Sequence, residues 1–121
     1  MPRPVIIGQY AEAELIELLD YVHAQSPRNA NRVAQRIDKA IQRIAAKPEA
    51  CAAEPTVPGV PAGAVARRTT VSGYTIRYIY PLIVDRAASV LVVSIRRGNR
   101  EALNDPEYVL RWLEERGRHV P

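Results

Sequence analysis

Ala24-Gln25-Ser26-Pro27-Arg28-Asn29-Ala30, residues 24–30, holds a helix stop and a helix start side by side. Pro27 disfavours helical backbone at the residue before it, while serine at the cap followed by proline at the first helical position opens a new helix. Before this point Ala11, Leu15, Leu18, Leu19 and Val22 recur at the i, i+4, i+7, i+8 spacing of one helical face, which predicts an amphipathic helix over residues 11–25. After it, Ala30, Val33, Ala34, Ile37, Ile41 and Ile44 line one face of a second helix that ends near Lys47-Pro48. The two make a helical hairpin with a very tight turn.

On the N-terminal side of the hairpin, Val5-Ile6-Ile7 reads as a short strand, with Pro4 at a position where a strand tolerates proline. On the other side, residues 48–63 contain Pro48, Pro55, Pro58 and Pro61 with Gly59 and Gly63, a density that predicts a connecting loop without regular structure. Val65 to Val71 then reads as a strand, Ser72-Gly73 as a two-residue turn and Tyr74 to Tyr80 as the partner strand. Asp85 to Ser89 is a second expected turn, and Val90 to Arg97 a third strand, apolar enough to be central. Asp105-Pro106-Glu107 supplies an aspartate cap, an N1 proline and a first-turn acid, so a final helix is expected to run to about Arg116 and stop at Gly117. The order is β-α-α-β-β-β-α: an α+β fold with the N-terminal strand and helical hairpin packed on a small antiparallel meander, followed by a C-terminal helix.

At 121 residues the chain fits one domain, divided into a strand plus hairpin (1–47), the Pro-rich loop (48–63), a sheet (64–100) and a helical tail (101–121). Hydrophobic residues make up 47% and charged residues 25%, the composition of a chain that buries one core. The single cysteine, Cys51, rules out an internal disulfide and a thiolate metal cluster. No apolar run approaches the length that crosses a bilayer, and a cytoplasmic protein without membrane partners is expected. The net charge of +4 is unevenly placed. Residues 1–63 balance seven bases against seven acids; residues 64–100 set seven arginines against Asp85; residues 101–121 set three arginines against five acids. The sheet segment thus supplies the whole positive excess.

Several pieces, taken in order, resemble the RelE/ParE superfamily of bacterial toxins from type II toxin–antitoxin modules. They are Ala11-Glu12-Ala13-Glu14-Leu15-Ile16-Glu17-Leu18-Leu19-Asp20-Tyr21-Val22, Ser26-Pro27-Arg28-Asn29-Ala30-Asn31-Arg32-Val33, Ile37-Asp38-Lys39-Ala40-Ile41-Gln42-Arg43-Ile44 before Pro48-Glu49, Gly73-Tyr74-Thr75-Ile76-Arg77-Tyr78 and Gly98-Asn99-Arg100-Glu101. The resemblance implies two possible activities. RelE-like members cleave messenger RNA on the ribosome without a metal, using cationic side chains on the sheet and a tyrosine near the C-terminus. Under that reading Arg68, Arg100 and Tyr108 are the matching residues, while Thr75 and Ala66 stand at positions that are basic in the ribonucleases. ParE-like members have a longer hairpin, lack the ribonuclease set and poison DNA gyrase by protein–protein contact. The hairpin length and the Ser26-Pro27 turn resemble this branch more closely, and the long tail and Pro-rich loop depart from it. The resemblance therefore implies a non-enzymatic toxin acting in plasmid stabilisation and growth inhibition, held in check by an antitoxin with an acidic or amphipathic binding segment. The alternatives are the ribonuclease and a domain of this fold that has lost toxicity.

Arg67, Arg68, Arg77, Arg96, Arg97 and Arg100 cluster on the expected sheet and its ends, and guanidinium forks suit carboxylate or phosphate. They are the candidate surface for target or antitoxin, although consecutive Arg96 and Arg97 must point to opposite faces of a regular strand, and some of the six can equally be solvated or paired with the acidic tail. Tyr74, Tyr78 and Tyr80 share a face and read as core rather than as a stacking platform. His23 and His119 lie far apart with no ligand spacing around them, so neither a metal site nor a cofactor is expected.

Overall fold

The computed structural model describes residues 2–54 and 59–97, and the backbone of residues 118–120. In chain order the elements are β1 (Val5–Ile7), α1 (Gln9–Gln25), α2 (Pro27–Ala46), β2 (Ala52–Ala53), β3 (Val65–Val71), β4 (Tyr74–Val84), β5 (Ala87–Arg97) and β6 (Arg118–Val120). The fold is α+β, and among the described residues six strands run in the order β2-β3-β4-β5-β1-β6. Strands β3, β4 and β5 form the expected antiparallel meander. β1 pairs with β5 in parallel, Val5 opposite Val90 and Ile7 opposite Val92, so the sheet is mixed, and the hairpin is part of the crossover that parallel pairing requires.

The hairpin turn works as the sequence suggests. Ser26 Oγ accepts a hydrogen bond from the Asn29 N–H at 3.2 Å, and Pro27 occupies the first turn, where its missing N–H costs nothing. α2 buries Ala30, Val33, Ile37, Ala40, Ile41, Ile44 and Ala45 along one face, whereas α1 fully buries only Ala11 and Val22. Leu15, Leu18 and Leu19 of α1 are half-buried, and Ile16 and Tyr21 are exposed. The deepest layer is the sheet itself, where Ile76, Tyr78, Ile79 and Val90 through Val93 have almost no exposure.

Three expectations need correction. First, residues 48–63 do contain regular structure, because the proline-free window between Pro48 and Pro55 lets Ala52 and Ala53 pair with Arg68 and Arg67. Second, β4 continues past Pro81 to Val84, and the second turn tightens to Asp85-Arg86. Pro81 has no N–H to give a ladder and sits where the β4–β5 register shifts, between Ile79 and Leu82. Asp85 and Arg86 both take positive φ (49° and 66°), as a two-residue hairpin turn demands. Third, Arg118–Val120 beyond Gly117 is a strand paired antiparallel with β1. The helix expected over 105–116 lies outside the described residues.

Candidate functional site

The arginines of the sheet segment divide into separate neighbourhoods. Arg68 on β3 is directly opposite Arg77 on β4, so their side chains leave the same face of the sheet. Between them reaches Glu54, which follows β2 and is anchored by its own N–H donating to the Ala66 carbonyl at 2.8 Å. Arg77 Nε donates to Glu54 Oε2 at 2.9 Å, and Arg68 Nη1 lies 3.8 Å from Oε1. Arg77 and Glu54 are buried, at 3% and 7% exposure, whereas Arg68 is 54% exposed. Thr75 and Ser94 are buried on the same stretch of sheet, Ser94 opposite Arg77, and Ala66 is buried as well. Arg77 is therefore an interior ion-pair partner, and only Arg68 of the two presents its head to solvent.

The second neighbourhood lies between α1 and the C-terminal end of β5. Arg96 Nε donates to Glu14 Oε2 at 2.6 Å, and the Arg97 guanidinium sits 5.9 Å from the centroid of the Tyr21 ring, within cation–π range. Glu14, Glu17, Leu18, Tyr21, Tyr74 and Ile95 join the two arginines around an open groove of about 520 Å³. Apolar Leu18 and Ile95 line it together with charged side chains of both signs, a surface suited to an amphipathic partner segment.

Arg67 belongs to a third setting. Its Nη1 donates to the Cys51 carbonyl at 2.7 Å, while the Tyr78 hydroxyl donates to the Pro48 carbonyl at 2.6 Å. Both bonds tie the segment after α2 to the sheet. Burial, reinforced by a hydrogen bond with Cys51, pushes the Tyr78 hydroxyl well above its ordinary pKa. Arg100 and Tyr108 lie outside the described residues. The five candidate arginines among the described residues thus do not form one cationic face: Arg77 and Arg67 act within the fold, Arg96 and Arg97 frame a groove, and Arg68 stands by Glu54.

A family model described as the ParE toxin of the type II toxin–antitoxin system parDE matches residues 5–102, from the start of β1 to beyond the end of β5. The chain belongs to the ParE toxin family. No protein of curated function matches it. Membership of the ParE family supports a toxin role and implies an antitoxin partner in a type II system. Among the described residues of this ParE chain no three His, Cys, Asp or Glu side chains are grouped to hold a metal ion, and no helix is long and apolar enough to cross a membrane. Sequence reasoning missed Glu54 and Glu14 as partners of the ParE sheet. A signal for Glu54 was available, because it is the sole acid between Glu49 and Asp85 and it precedes the arginine-rich segment. For Glu14 there was none, since its partner is 82 residues away along the chain.

Proposed function

We propose that this ParE-family toxin stops growth by binding a target protein in the cytoplasm, DNA gyrase, and that a cognate antitoxin neutralises it by laying an amphipathic segment into the groove between α1 and β5. The observation that carries this reading is the state of the sheet positions a ribonuclease would use. Metal-free RNA cleavage needs several cations open to one phosphate to hold the developing charge. Here Ala66 and Thr75 are uncharged and buried, and Arg77 is turned to a buried carboxylate. A groove lined by Glu14, Glu17, Arg96 and Arg97 together with Leu18 and Tyr21 fits recognition of a protein surface.

A ribosome-dependent ribonuclease is the second reading, favoured by the exposure of Arg68 together with Arg100 and Tyr108 in the sequence. Brief expression without antitoxin separates the two. Gyrase poisoning predicts broken or abnormally supercoiled DNA with intact messages, unchanged in Arg68→Ala and Arg100→Ala variants. Message cleavage that disappears in those variants would establish the ribonuclease instead. Growth unaffected by expression of the folded chain would mark a domain that has lost toxicity.

A further inference from the structure

Glu54 does more than balance one arginine. Two guanidinium groups directly opposite each other on neighbouring strands repel, and an anion placed against both offsets that repulsion. The two oxygens of Glu54 divide that task, Oε2 at Arg77 and Oε1 toward Arg68. The carboxylate is delivered by the main chain: Ala52 pairs with Arg68, Ala53 with Arg67, and the Glu54 N–H bonds the Ala66 carbonyl. The cluster runs from the interior at Arg77 to solvent at Arg68, so it has an open side. Guanidinium forks bind phosphate oxygens by the same geometry as carboxylate oxygens.

From these relations we infer that Arg68 and Arg77 constitute an oxyanion site of the phosphate class, and that Glu54 is its built-in occupant, closing it to phosphate groups from outside. The inference rests on the non-nucleolytic reading above and gives it a cause. The segment with the largest positive charge is denied to RNA by an acid supplied from the preceding loop.

The test compares purified wild type, E54Q and E54Q/R68Q. Glutamine keeps a carbonyl oxygen that can accept from Arg77 Nε while removing the charge. Thermal melting is followed in inorganic phosphate against chloride at equal ionic strength, and binding of a fluorescent oligouridylate is followed by anisotropy at low salt. E54Q should be stabilised by phosphate where wild type is not, since a ligand that binds only the folded state raises its melting point. The added R68Q change should erase that gain. Oligouridylate bound about tenfold more tightly by E54Q than by wild type shows that the opened site admits a phosphodiester, and a gain with inorganic phosphate alone shows a site that takes only the free ion. If E54Q melts too low to assay, E54D, whose shorter stem withdraws the charge, is measured instead and should shift the same way by less. A folded Glu54 variant with no gain for either probe overturns the inference alone. Wild type that already binds oligouridylate tightly through Arg68 overturns the inference, and wild type that also cleaves messages through Arg68 overturns the non-nucleolytic reading with it.

Discussion

Arg77 and Arg68 face the same carboxylate, yet their replacement should differ sharply in cost. Arg77→Ala leaves Glu54 buried without its closest partner, and breaking a buried pair from one side costs about 3–5 kcal/mol. Arg68→Ala removes a long, solvent-screened contact and should cost under about 1 kcal/mol by urea denaturation. Tyr78 supplies a second residue-level prediction. Its hydroxyl bonds the Pro48 carbonyl from a fully buried position, and Tyr78→Phe should lose about 1 kcal/mol. Because burial raises the folded-state pKa above the ordinary value of 10.0, the folded chain holds this proton where the unfolded chain releases it. Stability from Tyr78 is thus fully present below about pH 10 and falls as pH rises beyond it. In Tyr78→Phe that part of the alkaline loss should vanish, read from denaturation midpoints on either side of that pH.

The hairpin and the meander were legible because their signals are local: a 3.6-residue apolar period on each side of Ser26-Pro27, and alternation around Ser72-Gly73. Ser26→Ala should remove about 1 kcal/mol through loss of the bond to the Asn29 N–H, and Ile37→Ala, in the fully buried row of α2, about 2–5 kcal/mol. Gly73→Ala forces a Cβ onto a residue at φ 81°, which strains the β3–β4 turn although nothing lies near the added carbon; a loss of about 1 kcal/mol is expected in the same denaturation series. What the sequence did not disclose is equally physical. β2 and β6 are two and three residues long, too short for a period, and each exists only because a distant strand offers its edge. The division of the arginines was hidden for the same reason: Arg96 and Arg97 are adjacent in sequence, but their partners Glu14 and Tyr21 sit on the opposite side of the hairpin turn from anything local to them.

At the scale of the whole molecule, the positive excess of residues 64–100 is partly offset by acids of the preceding segment, Glu54 at Arg77 and Glu14 at Arg96, so the field over the sheet is weaker than that segment's own charge implies. Removal of residues 118–121 deletes β6 and bares the outer edge of β1; the truncated chain should melt at a lower temperature and show self-association by light scattering. β1 also has a temporal meaning. It precedes the hairpin in the chain, yet both of its neighbours, β5 and β6, come well after the hairpin and are made later. A chain made only as far as α2 therefore has a hairpin but no strand for β1 to pair with, and the groove lined by Arg96 and Arg97 does not exist until β5 is finished. Under the proposed reading, competence to bind a partner through this groove arrives only with closure of the sheet, when a strand far along the chain joins the one that precedes the hairpin.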